Sequence, residues 1–364
     1  MARLLFVSHI SYLSGPSQSM LLLLKYLRQQ HEVAVVMPNE GTFSEALEQE
    51  HITWHTHPFR IRHVPGLVRF IRRGKYDVVY GNNFSNVCSV GLYATRLTRR
   101  PYVWHIREVF PNDHHKPEIF RRLRHAKAVI TVSRSSERAI KRYLPNQDVD
   151  VIYNGVEIDD FSARRIDARR YVCAVLDVMP DRIVVTNVGR VCAQKNQLHL
   201  IEAAIPIIRK HPQVHFCLVG GHQEPEYATS IVARATEAGI ANNIHMLGFR
   251  NEVPTFLCGS DILLHTSTKE AHPRVILEAM AARLPVVAYD VPGGMNETVV
   301  PDQTGYLIPF GDVAGLAHSV TKLVQNSALR QKMGAQGRER VETLFTAERT
   351  AQQINDVIER VWRS

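Results

Sequence analysis

Residues 269–281, KEAHPRVILEAMA, set two carboxylates, Glu270 and Glu278, eight positions apart around a proline. Proline suits the first turn of a helix, because the N–H it lacks would have had no intrahelical partner there. Pro273 therefore predicts Glu270 in a loop and Glu278 one to two turns inside a helix, with their carboxylates well apart. Acids so separated suit two ends of one extended ligand. They do not suit the paired acids of a retaining glycosidase, which sit about 5 Å apart across one bond. Taken singly, each glutamate reads equally well as a solvated carboxylate.

Two other stretches supply opposite charge. VGRVCAQKN, residues 188–196, ends an apolar run at Gly189 and brings Arg190 and Lys195 to the end of a strand. A planar guanidinium and a point-charge ammonium are the counter-charges a diphosphate needs. Near the start, SHISYLSGPSQ separates a strand from the helical pattern beginning at Met20. There Gly15 permits close backbone approach and the helix N-terminus favours an anion, although Gly15-Pro16 also reads as a plain turn. The stretch is no GxGxxG, so the dinucleotide fingerprint is absent. Each carboxylate beside a diphosphate repels it by about 3 kcal/mol per unit pair, at about 5 Å and an effective dielectric near 20. Arg190, Lys195 and helix N-termini must offset that repulsion.

The elements that would position these groups are short β-branched runs alternating with longer helical patterns. In the first half they are Leu4–Ser8, Glu32–Met37, Asp77–Tyr80, Tyr102–His105, Ala128–Val132 and Val149–Tyr153. In the second they are Ile183–Val188, His215–Val219, Asn243–Leu247, Ile262–His265, Pro285–Ala288 and Gly305–Ile308. Most are apolar throughout, as strands of a parallel sheet buried on both faces are. The alternation occurs twice, which predicts an α/β protein of two doubly wound, Rossmann-like domains facing each other across a deep cleft, with chemistry beyond the strands' carboxyl ends. The expected domains are 1–165 and 166–345, with a linker within 154–170. The tail 346–364, apolar at Ile354, Val357, Ile358 and Val361, is an amphipathic helix expected to pack back on the first domain.

Length and composition agree with this division. A chain of 364 residues exceeds one core of usual size, and 45% hydrophobic with 22% charged residues is ordinary for a globular protein. No run approaches the ~18–20 apolar residues of a membrane span, and MARLLFVSH is too short for a signal peptide, so a cytoplasmic location is expected. Five scattered cysteines form no CxxC pair and read as buried free thiols. Residues 1–165 carry 24 Lys+Arg against 15 Asp+Glu, a net +9, while 166–364 carry 20 against 20. This asymmetry points the first half toward an anionic surface or substrate. No nucleic-acid-binding module accompanies the charge.

VIYNGVEIDDF, NVGRVCAQKN, LVGG and Glu270-x7-Glu278 followed by AMAARLPVVA come in this order. In that order and spacing the chain resembles a retaining, nucleotide-sugar-dependent glycosyltransferase of family 4, with the GT-B fold. The resemblance covers almost the whole chain and is strongest from Val151 to Phe310. It implies that Glu278 holds the ribose hydroxyls, Glu270 the transferred sugar, and Arg190 and Lys195 the diphosphate. Gly15 and Gly189 line the phosphate site, Arg274 and Val275 contact the donor, and the backbone at Gly248-Phe249-Arg250 faces the base. His105 matches a histidine placed near the reaction centre. Front-face transfer follows, in which the departing phosphate takes the acceptor's proton, with UDP as the expected base and no metal or other cofactor. The acceptor is a hydroxyl compound, lipid-linked or anionic. A nucleotide-sugar-binding protein without turnover and an epimerase on the same fold are the alternatives.

The chain departs from the family at two places. His272-Pro273 stands where an aromatic–glycine pair is usual, removing a backbone donor, and the first loop keeps only Gly15, so phosphate contact there would fall to serine hydroxyls. Asp148-Val-Asp150 spells a metal-binding DxD but is expected in a solvated turn, and Asn112-Asp113-His114-His115 lacks a further ligand at metal spacing. The segment 64–75 interleaves apolar residues with Arg69, Arg72, Arg73 and Lys75. It reads either as a helix packed on its own sheet or as a membrane-surface contact, peripheral to the inner face.

Overall fold

A computed structural model describes residues 1–110, 120–162 and 165–364. The chain forms two compact units, one of residues 1–155 with 347–364 and one of residues 156–346. In unit 1 the strands are β1 (Arg3–Ser8), β2 (Glu32–Met37), β3 (Thr53–Thr56), β4 (Val78–Asn82), β5 (Tyr102–Ile106), β6 (Ala128–Thr131) and β7 (Val149–Val151). They lie in the order β3-β2-β1-β4-β5-β6-β7. Unit 2 contains β8 (Ile183–Val188), β9 (Val214–Val219), β10 (Ile244–Met246), β11 (Ile262–His265), β12 (Val286–Asp290) and β13 (Gly305–Pro309), in the order β10-β9-β8-β11-β12-β13. Every ladder pairs parallel strands, from β1 against β2 and β4 to β12 against β13. These are the two parallel-sheet α/β domains of the GT-B fold.

The apolar runs became strands because helices cover both sheet faces; β4, β5, β6 and β11 are buried along their whole length. Each sheet reverses its strand order once, between β1 and β4 and between β8 and β11, which opens a crevice at the carboxyl edge. All twelve expected strands are present within two residues of either end. A thirteenth, β3, is additional: TWHT lies at the sheet edge with Thr53, His55 and Thr56 exposed, so it carries no buried run.

The units divide between Gly155 and Val156, ahead of the expected boundary at residue 165. The reason is packing: the Val156 N–H donates to Phe345 O at 3.0 Å, and Phe161 is buried with its carbonyl accepting from Cys258 Sγ at 3.8 Å. Residues 156–162 therefore belong to unit 2. The helix Ala347–Arg363 lies on unit 1, where Ala351, Ile354, Val357, Ile358 and Val361 share a core with Leu23, Leu24 and Leu27. Arg360 Nη2 ties it to Asp150 at 2.5 Å. Asp150 lies within β7, as the expected strand Val149–Tyr153 has it, and Asp148 is exposed just before the strand, so the DxD stands at a strand entrance.

Residues 64–73 form a helix whose Val64, Leu67 and Ile71 are buried in unit 1's core, while Arg69, Arg72, Arg73 and the following Lys75 are exposed. Its apolar face is thus spent on its own sheet. All five cysteines are free and buried. Among the described residues, no helix is long and apolar enough to cross a membrane.

Candidate active site

The carboxyl edge of unit 2 is shaped first by backbone. β8 and β9 are followed directly by Gly189 and Gly220, and β10 by Leu247 and then Gly248. Gly220 has φ +158°, and a Cβ there would meet Gly189 O at 1.9 Å, so only glycine lets the strands stay stacked to the edge. Beyond it the loop after β8 is tied to the loop after β11: Thr268 N–H donates to Gln194 O and Thr266 Oγ1 to Lys195 O, both at 2.9 Å.

That tie brings Lys195 to Glu270, with Nζ 2.5 Å from Oε1 and side chains only 18% and 13% exposed. On the same oxygen, His265 Nε2 donates at 3.1 Å from the buried end of β11. The Glu270 backbone is braced as well, its N–H donating to Pro292 O and its carbonyl accepting from Gly294 N–H at 3.1 Å. Burial alone would raise the Glu270 pKa, but the Lys195 ammonium and the His265 hydrogen bond outweigh it and hold the carboxylate well below its ordinary range. Burial lowers the His265 pKa, opposed by Glu270, so the imidazole stays neutral at pH 7.

Four residues on, the helix starts at Arg274 with Pro273 as its N-cap, one position outside the first turn where it was expected. Ile276, Leu277, Ala279 and Met280 are buried, which leaves Arg274, Val275 and Glu278 half-buried. Arg274 Nη2 and Nε donate to Glu278 Oε1 at 3.1 and 3.3 Å. Arg274 Nη1 and Arg250 Nε are buried with no partner among the described residues. Arg190 is exposed, and Phe249 is 67% exposed although aromatic. The structure thus joins Lys195 to Glu270 and Arg274 to Glu278.

Gly15 and His105 belong to unit 1. His105, fully buried on β5, shares a hydrogen bond between its Nδ1 and the Tyr80 hydroxyl, and its Nε2 is buried with no partner among the described residues. Burial first, and the Arg107 charge second, push its pKa well down. Arg107 Nε donates to Asn82 Oδ1 at 2.7 Å and Nη1 to Asn154 Oδ1 at 2.5 Å. Asn82 Nδ2 in turn donates to Pro16 O at 3.2 Å, anchoring the loop in which Gly15 opens a helix with free space beside it. Ser17 Oγ donates to Tyr12 O and accepts from the Ser14 N–H, so this hydroxyl serves its own turn rather than a phosphate. The sequence reading missed Tyr80, Asn82, Arg107 and His265. Asn82, Arg107 and His265 are polar residues at or just past the carboxyl end of an apolar strand, a signal that could have found them, whereas Tyr80 lies mid-strand and carries none.

Two family models match: Glycosyltransferase Family 4 over residues 13–160 and Glycosyl transferases group 1 over residues 175–340. The chain belongs to the family 4 glycosyltransferases of GT-B fold. The glycosyltransferase is similar to crystal structures of Anabaena HepE in complex with UDP and with UDP-glucose. Each is 26% identical with TM-score 0.89, covering 98% and 99% of this chain and all of the other. It is 27% identical over 277 residues to the Escherichia coli UDP-Gal:alpha-D-GlcNAc-diphosphoundecaprenol alpha-1,3-galactosyltransferase, covering 72% of this chain and 70% of that one. It is 32% identical over 249 residues to a Mycobacterium tuberculosis alpha-maltose-1-phosphate synthase, covering 65% and 64%. Among the described residues of the glycosyltransferase, no three His, Cys, Asp or Glu gather as metal ligands; Asn112-Asp113-His114-His115 lies outside them.

Because the folded Glu270 pKa is depressed from 4.5, its stabilising contribution is complete above about pH 4.5 and is lost as pH falls through the lower folded value. Lys195→Met leaves the carboxylate without its cation, and denaturant unfolding at pH 7 should show a loss of about 3–5 kcal/mol, the cost of breaking a largely buried pair. The loss should shrink as pH falls and the carboxyl protonates. A variant as stable as wild type at pH 7 would show that the pair does not hold the loops together.

Proposed function

We propose that the chain transfers a sugar, with retention, from a UDP-sugar to an acceptor hydroxyl. The observation that carries this reading is the Lys195–Glu270 pair at the carboxyl edge of unit 2, followed eight residues on by the Arg274–Glu278 pair. UDP and UDP-glucose bound to HepE, and UDP-Gal in the name of the Escherichia coli relative, support UDP as the base.

In this reading Lys195 turns from Glu270 to the diphosphate, where Arg190 joins it, and Glu270 is released to hydrogen-bond the sugar hydroxyls. Glu278 takes the ribose, Arg274 and Val275 contact the donor, and Phe249-Arg250 lies against the base. As the glycosidic bond breaks, negative charge grows on the diphosphate, and the preorganised ammonium and guanidinium stabilise it more than the ground state. The acceptor hydroxyl forms its new bond to the anomeric carbon on the face the diphosphate leaves, and its proton passes to the departing phosphate oxygen. The protein's own cations carry the electrostatic work, with no metal or other cofactor. His105 and Gly15, on the carboxyl edge of unit 1, are assigned to the reaction by the family resemblance, and unit 1 to the acceptor.

Unit 1 also presents a surface for anionic lipid. From His51 to Arg107 there are ten Lys+Arg against one acid, Asp77. Exposed Ile61 and Leu97 accompany the exposed Arg69, Arg72, Arg73 and Lys75, and Arg72 Nη2 donates to Leu97 O, joining the two helix ends. We assign this face to the inner surface of a membrane, where a lipid-linked acceptor would be met.

A thermal-shift screen of UDP-, GDP- and ADP-sugars, with donor hydrolysis, tests the donor: a UDP-sugar should stabilise by about 2.7 kcal/mol at about 100 times its dissociation constant. Glu278→Ala should then weaken UDP binding about tenfold or more, as loss of a charged hydrogen bond does. Unchanged UDP affinity in calorimetry would remove Glu278 from the ribose. For the surface, changing Arg69, Arg72 and Arg73 together to Glu should abolish flotation with phosphatidylglycerol vesicles, each basic residue contributing about 1 kcal/mol. Wild-type protein that ignores such vesicles would refute the membrane assignment.

A further inference from the structure

His265 has no role in the reading given so far, yet it is the least expected residue at this edge. Its strand is otherwise apolar, Ile262, Leu263 and Leu264 being fully buried, and its neighbour across the ladder is Ala288. A leucine would continue that packing. The imidazole instead leaves Nδ1 buried with no partner among the described residues, a penalty that an apolar residue would avoid. Packing therefore does not explain the histidine, whereas its other nitrogen, 3.1 Å from Glu270 Oε1, does.

We infer that His265 is a positioning residue, whose Nε2–H holds the Glu270 carboxylate by Oε1 so that Oε2 meets the donor sugar once Lys195 has turned to the diphosphate. The geometry supplies the reason. Among the described residues, every contact of the Glu270 carboxylate runs through Oε1, which takes both Lys195 and His265. When the diphosphate draws Lys195 away, Glu270 would be a largely buried carboxylate with nothing to fix its rotamer. His265 stays, because it is buried on the strand, and one neutral donor fixes the acid without competing for the phosphate. The carboxylate accepts, so Nε2 must carry the hydrogen, which fixes the tautomer and leaves Nδ1 unprotonated. This inference rests on the donor reading above, in which Lys195 meets the diphosphate and Glu270 the sugar.

The test compares wild type, His265→Leu and His265→Gln by calorimetry with UDP, and by binding and hydrolysis of whichever of UDP-glucose, UDP-galactose and UDP-N-acetylglucosamine the wild type hydrolyses fastest. His265→Leu should keep UDP affinity within about twofold, yet lose about tenfold in kcat/KM for the UDP-sugar, the size of one hydrogen bond to a charged group. His265→Gln, whose amide can reach the same oxygen, should recover most of that loss. The inference is overturned if His265→Leu turns over the UDP-sugar like wild type, if it weakens UDP and the UDP-sugar by the same factor, or if His265→Gln is no better than His265→Leu. Should His265→Leu not fold, His265→Gln with near wild-type turnover supports the role and with a tenfold loss overturns it. Wild type that binds no UDP overturns the donor reading itself.

Discussion

The ion pair between Lys195 and Glu270 is the contact on which the rest of unit 2's functional edge depends. It joins the loop after β8 to the loop after β11, across 75 residues of sequence. Such a pair is a poor way to gain stability, because the desolvation of two charges consumes most of their attraction. In the proposed donor reading its value lies in being exchangeable. An ammonium held against a carboxylate is already desolvated and oriented, and a diphosphate can replace the carboxylate without a new ordering cost.

The parallel sheet makes the pair possible. β8 and β11 are neighbours where the strand order reverses, so the loops leaving them share one stretch of the carboxyl edge, where the Thr266 and Thr268 hydrogen bonds tie them together. Gly220 keeps β8 and β9 in contact up to that crevice, and the backbone bonds of Glu270 to the Pro292–Gly294 turn keep the acid on its rim. Unit 1 uses the same edge differently. Its Arg107 is held by two asparagine oxygens, and burial keeps the His105 pKa well down.

Much of this was legible in the sequence because parallel strands buried on both faces leave uninterrupted apolar runs. That signal found twelve strands, but TWHT at the exposed edge has no such run. The candidate residues were legible by their place: Arg190, Lys195 and Glu270 in loops after apolar strands, and Glu278 inside the helix that follows. Their partners were not, since the Lys195–Glu270 contact exists only once β8 and β11 pair. His265 was hidden for another reason: as the last letter of ILLH it looks like the polar end of a strand, and neither its burial nor its orphaned Nδ1 is visible before folding. Asp150 was placed in a strand from the sequence, but its partner Arg360, 210 residues away, could not be read there.

The central claim is that the Lys195–Glu270 pair parts when the donor arrives. A crystal structure of the protein with an intact UDP-sugar tests it most directly. The account predicts Lys195 Nζ within hydrogen-bond distance of a diphosphate oxygen, Glu270 Oε2 on a sugar hydroxyl, and His265 Nε2 still on Oε1. A bound UDP-sugar with Lys195 and Glu270 still paired to each other, or seated away from both, would contradict it.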